Sequence, residues 1–213
     1  RLSGNDAESH GDFSAQISAN TAGVMRLSEL ITGLGVQRFF SALQQLNDYG
    51  ERLARAALQD IPDGCYRFSD VMDDDGLGNK DIPIVVAINV VAGDVRVNFS
   101  GTSAQVAGNI NCPLSVAAAG VYYVFRCLMP AQTPACAGSF RPISLYAPEG
   151  SLLNSRRPAA VAAGNVETST RVVDVILGAL AQAIPDRIPA ASHGSMNNIA
   201  MGARASNGSA AWN

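Results

Sequence analysis

Four consecutive residues offer the densest chemistry in this sequence. Ser100-Gly101-Thr102-Ser103 sets three hydroxyls and a run of backbone N–H groups just after a β-patterned stretch. Such a cluster can act as a nest for an oxyanion or a phosphate oxygen. It can equally be a tight polar turn whose groups satisfy one another. Downstream, Gln105, Asn109 and Asn111 carry neutral carboxamides. Each donates and accepts at once, which suits the orientation of an amide or ureide, or ordinary loop hydrogen bonding. His193 lies in a Ser/Gly-rich segment and is the other candidate for proton transfer. Asp12 and Gln16 stand one helical turn apart on a shared face. Asn165, Glu167 and Thr168 sit at an expected helix start, where capping explains them.

Several chemistries find no support. There is no GxxxxGK[ST] loop, and Gly33-Leu34-Gly35 lacks both a third glycine and a preceding strand. No GxSxG elbow occurs. The two histidines, His10 and His193, are too few for a self-contained zinc site. Asp73-Asp74-Asp75-Gly76 is consecutive where a calcium loop alternates its ligands, so a solvated acidic turn is expected. The four cysteines show no CxxC spacing and read as free thiols of a reducing, cytoplasmic compartment. A net charge of −3 with Lys80 as the only lysine gives no sign of a nucleic-acid partner. No apolar run nears the roughly 20 residues needed to cross a bilayer. The charged fraction is 15%, against about 25% in typical domains. That deficit fits either a large core under a Ser/Asn/Gly-rich surface or, the reading we favour, surfaces covered by other polypeptide.

The elements that must position these residues follow from periodicity. Residues 1–10 are polar and read as a loop. From 12 to 34, Phe13, Ile17, Val24, Leu27, Leu30, Ile31 and Leu34 follow one helical face, with Asp12 as the cap and Gly35 as the break. A second helical pattern reaches the Ile61-Pro62-Asp63-Gly64 turn and includes a Glu51/Arg55 pair at i,i+4. Residues 1–60 thus read as a helical hairpin segment and 61–213 as an α+β segment. In the second, Tyr66 and Phe68 alternate, 82–91 is a β-branched run, and Ala92-Gly93-Asp94 turns into Val95-Arg96-Val97-Asn98-Phe99. Helices are expected over 114–128 and 168–183, with a short strand at 142–146. The fold class is α+β, a helical hairpin followed by a mixed or antiparallel sheet, without regular βαβ alternation.

Ordered blocks along the chain resemble the hydantoinase B/oxoprolinase family. Gly11-Asp12-Phe13-Ser14-Ala15-Gln16 is similar to its GD-x-x-AQ segment. Asp60-Ile61-Pro62-Asp63-Gly64-Cys65-Tyr66 then leads to Asp73-Asp74-Asp75-Gly76. The most specific piece is Asn98-Phe99-Ser100-Gly101-Thr102-Ser103-Ala104-Gln105, followed by Gly108-Asn109-Ile110-Asn111-Cys112-Pro113. Phe140-Arg141-Pro142-Ile143, Pro148-Glu149-Gly150-Ser151, Gly164-Asn165-Val166-Glu167-Thr168 and Pro189-Ala190-Ala191-Ser192-His193-Gly194 complete the series. Two positions depart from the family: Asn98 replaces an Asp, removing a charge, and Cys136 replaces an Asn in a turn.

The resemblance implies a two-part chemistry. An A-type subunit or domain uses ATP to phosphorylate an amide or enolate oxygen, and the B-type part completes the reaction. In hydantoinases and oxoprolinases a cyclic amide is opened by water; in ketone carboxylases an enolate is joined to activated bicarbonate. A module with no site of its own is the reading from a different class. On the resemblance, Ser103, Gln105 and His193 are expected to be catalytic, and Gly101, Thr102, Asn109, Asn111, Asp12 and Gln16 to bind substrate. ATP is expected on the A-type partner. A divalent metal is expected in the family's His/Asp-rich N-terminal region, which these residues do not include. The expected partners are the A-type subunit, the remainder of the B-type subunit and a small-molecule substrate.

Overall fold

A computed structural model describes residues 6–196. Two compact units divide the chain, Arg1–Tyr49 and Gly50–Asn213, with the boundary inside the second helix. The elements in order are α1 (Asp6–Leu34), α2 (Val36–Leu58), β1 (Gly64–Asp74), β2 (Lys80–Val91), β3 (Asp94–Asn98), α3 (Leu114–Leu128), β4 (Ile143–Tyr146) and α4 (Thr168–Leu180).

In the first unit, α1 starts at Asp6, so Asp12 lies inside the helix and does not cap it. The polar opening contains no proline, and Ala7 and Glu8 favour helix, so nothing delays its start until residue 12. Gly35, at φ +81°, ends α1 as expected. The two apolar faces stay largely exposed, with only Phe39 buried and Ile31 half-buried. Phe13, Ile17, Val24 and Leu27 on α1, and Val36, Phe40, Leu43 and Leu46 on α2, are all exposed. The periodicity identified both helices but not what covers them.

The second unit contains the last two turns of α2. Ala54 and Leu58 are fully buried in its core. Glu51 accepts hydrogen bonds from Arg55 Nε (2.9 Å) and Arg141 Nη1 (3.1 Å), and Arg55 Nη1 donates to Asp94 Oδ1 (2.7 Å). The Arg141 and Arg55 hydrogen bonds hold the Glu51 carboxyl below its ordinary range.

The sheet has the order β1-β2-β3-β4. The first three strands are antiparallel neighbours, and β4 runs parallel to β3. β2 pairs along its whole length with β1, with Phe68 opposite Val86. Its alternate residues Ile82, Ile84, Val86, Ile88 and Val90 are all buried. This period-two burial is what a half-buried strand requires, and β-branched residues fit it. The β2–β3 turn is Ala92-Gly93, both at positive φ, the geometry of a tight hairpin. Helix α4 packs on β1 and β2, and α3 packs on α4. Val121, Val124 and Phe125 of α3 and Val172, Val175, Ile176 and Ala179 of α4 fill the core between them. The α+β class is as expected.

β1 runs on to Asp74, well past the Tyr66/Phe68 alternation that the sequence displays. The acidic turn that follows is solvated only in part. Asp73 and Asp74 are exposed, but Asp75 is buried. Its carboxylate accepts hydrogen bonds from Leu77 N, Asn79 N, Asn79 Nδ2 and Gly108 N. These contacts, the Asn79 side chain first, offset its burial and keep its pKa below normal.

Candidate functional site

Residues 99–112 leave β3 and run along the open edge of β2. β3 pairs only with residues 87–91 of β2, so the earlier part of that edge needs other partners. Thr102 provides them: its Oγ1 accepts from Val85 N (3.1 Å) and donates to Val85 O (3.2 Å). Ser103 N donates to Pro83 O (2.9 Å), and Leu152 N donates to Ser103 O (2.9 Å). Gln105 N donates to Gly150 O, and Arg156 N donates to Gln105 Oε1 (2.7 Å).

Asn111 closes the loop from inside. Fully buried, it accepts from Val106 N through Oδ1, and its Nδ2 donates to the carbonyls of Val106, Gly108 and Ala160. Gly108 sits against Asp75 so closely that a Cβ there would lie 2.1 Å from Asp75 O. Thr168 Oγ1 donates to Ile110 O, which ties the loop to the first residue of α4. Cys112 is enclosed beside Gly164, and burial pushes its thiol up to about 12. At neutral pH it holds its proton and is no nucleophile.

These bonds divide the expected site residues. Thr102 and Asn111 are buried, and their polar groups are spent on holding the loop. The N–H groups of Ser100, Thr102, Ser103, Gln105 and Val106 all donate within the chain. The turn therefore presents side chains, not an array of free N–H groups. Gly101 (φ +99°) and Asn109 are exposed, and Ser103 and Gln105 are half-buried. Ser103 Oγ donates to Ala104 O and keeps its lone pairs. Among the described residues, Gln105 Nε2 and the Asn109 carboxamide have no partner. Asp12 and Gln16 are exposed on α1, in the other compact unit.

The two departures from the family pattern also have physical readings. Asn98 Oδ1 accepts from Ser100 N (2.8 Å), a turn contact that needs no charge. Cys136 sits at φ −131°, so this position does not call for a left-handed conformation. It packs with Ser139 against Gly50.

His193 belongs to a second feature, a groove of about 360 Å³. The end of β1 contributes Asp73 and Asp74, the loop contributes Ile110, the start of α4 contributes Glu167 and Arg171, and Gly194 and Ser195 flank the histidine. No hydrogen bond joins His193 to Ser103 or Gln105 among the described residues. The segment carrying His193 is strapped to α4. Ser192 N and Oγ donate to the two oxygens of Asp174, Thr170 Oγ1 donates to Gly194 O, and Ser195 Oγ donates to Glu167 Oε1. Gly194 adopts φ +86°, and a Cβ there would lie 2.6 Å from Arg171 Nη2. Arg171 is itself paired with Asp70 (2.8 Å), leaving the groove predominantly acidic.

Such a groove suits a ligand with N–H groups better than a phosphate. Sequence reading missed it because three segments build it, each with an innocent local explanation: an acidic turn, a helix cap and a polar tail. The one local signal was Glu167 and Arg171 at i,i+4 on one helix face. Among the described residues no group of three or more His, Cys, Asp or Glu side chains is arranged to hold a metal ion. Among the same residues, no helix is long and apolar enough to cross a membrane.

Residues 5–213 match the sequence profile of the family described as hydantoinase B/oxoprolinase. The chain belongs to this family. An uncharacterized protein of Methanocaldococcus jannaschii is 36% identical over 91% of the chain, which spans 34% of that protein. The 5-oxoprolinase 1 of Arabidopsis thaliana is 34% identical over 90% of the chain and 15% of its own length. The solved ATP-dependent caprolactamase from Pseudomonas jessenii superposes with a TM-score of 0.72 at 27% identity, covering 87% of this chain and 32% of that one. A nucleotide-free acetone carboxylase shares the fold alone, with a TM-score of 0.61 at 15% identity over 76% of this chain and 23% of that one. The chain thus spans about a third or less of the proteins it resembles.

Proposed function

We propose that this chain is part of the B-type component of an ATP-dependent enzyme that opens a cyclic amide, working on a substrate activated by an A-type partner. The observation that carries this is the 99–112 loop. It is fixed to the sheet by buried bonds, yet turns the neutral groups of Ser103, Gln105 and Asn109 outward. Neutral donor–acceptor groups on a rigid support orient an amide without competing for its charge.

In this reading Gln105 and Asn109 hold the amide, Ser103 hydrogen-bonds the reacting oxygen, and Gly101 leaves room for close approach. Thr102 and Asn111 act by positioning the loop. His193, in its acidic groove, carries a proton during ring opening. Asp12 and Gln16 are kept as contacts to substrate in the assembled enzyme. ATP belongs to the partner, and any divalent metal to polypeptide outside these residues. The 5-oxoprolinase relative and the match to an ATP-dependent caprolactamase support the hydrolase reading. The fold shared with acetone carboxylase supports a ketone carboxylase as the second reading.

The test is a substrate panel on the assembled complex with ATP: hydantoin, 5-oxoproline, caprolactam, acetone and acetophenone. ADP release with ring opening of one cyclic amide is expected. ADP release coupled to bicarbonate uptake on a ketone would select the carboxylase. No coupled turnover of any of them would leave the module without a site of its own.

A further inference from the structure

Helix α1 carries a seam more regular than amphipathicity requires. Residues 13, 17, 20, 24, 27, 31 and 34 are spaced alternately by four and three. That is a 3.5-residue period held for three heptads, the pattern of a helix that pairs with another helix. One row of the seam is Ile17, Val24 and Ile31, all β-branched. The other, Phe13, Asn20, Leu27 and Leu34, is apolar apart from Asn20. This division of β-branched and leucine-type residues is the one two-stranded coiled coils prefer. Its own compact unit leaves most of it open: Phe13 is 51% exposed, Val24 67% and Leu27 49%, and only Ile31 is half-buried. The Arg26–Glu29 ion pair marks a separate, water-facing side of the same helix.

We propose that this seam is the docking surface for a helix from the same, longer polypeptide. Two observations select that occupant. The seam spans 22 residues, about 33 Å at 1.5 Å per residue. A contact one helix wide is narrow for a stable interface between free proteins, which takes ~800 Å² of accessible surface per partner. Tethering removes this shortfall, because a covalently linked helix arrives at millimolar effective concentration. The relatives supply the length: the chain spans only 34% of the Methanocaldococcus protein and 32% of the caprolactamase chain, so most of such a polypeptide lies outside these residues. The chemistry of the occupant follows from the seam. It is an amphipathic helix with apolar residues at heptad spacing and one polar residue facing Asn20, since a seam carboxamide needs a partner once water is expelled. The positions flanking the seam carry no charge, so pairing is specified by shape and by Asn20.

The inference rests on the length of the relatives and not on the reaction, so its test is independent of activity. Benzoylphenylalanine is placed at position 24 in the intact polypeptide that carries these residues. It is irradiated, and the adduct is mapped by mass spectrometry. The expected adduct lies in the same polypeptide, outside these 213 residues, in a heptad-patterned segment. Leu27→Glu should reduce its yield at least about tenfold, and the probe at position 26 should give little. Should Leu27→Glu perturb folding, Asn20→Leu in the same background should shift the adduct along the partner helix. An adduct to α1 of a second copy, an adduct to α2, or no adduct at all would overturn the proposal.

Discussion

The 99–112 loop and helix α1 invert the usual expectation of which is the ordered part. The loop has no regular structure, yet almost every inward polar group in it has a named partner. Helix α1 is regular for 29 residues, yet most of its large apolar residues are exposed. The difference teaches where rigidity comes from. Backbone regularity satisfies a helix's own hydrogen bonds, but packing fixes an element in place. The loop is fixed because Asp75, Thr102 and Asn111 are consumed in holding it. The helix, in our proposal, is fixed only when its seam meets another helix.

The sharpest way to break this contrast is Gly108→Ala. A Cβ 2.1 Å from a backbone oxygen cannot be absorbed by a rotamer change, so the loop must lift off Asp75. A stability loss of about 3 kcal/mol or more is expected by denaturant unfolding. Asn111→Ala should cost about 2–3 kcal/mol, because it orphans Val106 N–H and empties a buried polar site. Wild-type stability in either variant would mean that the loop is not held as described.

A pH scan reads the same region. The Cys112 thiol is raised by burial from 9.0 to about 12, so the folded state holds this proton more tightly than the unfolded chain. Its contribution to stability is full below about pH 9 and is lost as pH rises from 9 toward 12. Melting temperatures should fall over that window, and less steeply in Cys112→Ser. Equal slopes in the two proteins would rule the thiol out.

Gln105→Ala and Leu27→Ala should both lie within about 0.5 kcal/mol of wild type in the isolated chain, since neither residue fills a core. They should part company in the assembled enzyme. Gln105→Ala should lower turnover about 10- to 100-fold with little change in stability, whereas Leu27→Ala should destabilise the longer polypeptide. A large drop in melting temperature for Gln105→Ala with normal turnover would place that residue among the loop's supports instead.

The sheet was legible because its signal is local. The β-branched run at 82–91 and the alternation in 95–99 mark strands, and turn residues mark the hairpin. Helices α3 and α4 were legible for the same reason. What the sequence concealed was pairwise. Nothing around Asp75 indicates that one carboxylate of three is buried against Gly108, thirty-three residues away. Nothing around Asn111 separates a carboxamide spent on the backbone from one offered to a ligand, as at Gln105. The groove at His193 was hidden likewise, since Asp73, Glu167 and Ser195 meet only through the packing of α4 on β1. Helix α1 failed in the opposite direction: its face was clear, but a periodic face does not name its partner.

The central claim is that this chain contributes residues to a site whose activating chemistry lies elsewhere. Calorimetric titration of ATP into the purified 213-residue chain, with ADP release measured in the presence of the cyclic amides, tests it most directly. The account predicts only heats of dilution and no substrate-stimulated ADP, with turnover appearing when the longer B-type polypeptide and its A-type partner are present. Micromolar ATP binding, or ADP release stimulated by any of the amides, would contradict it.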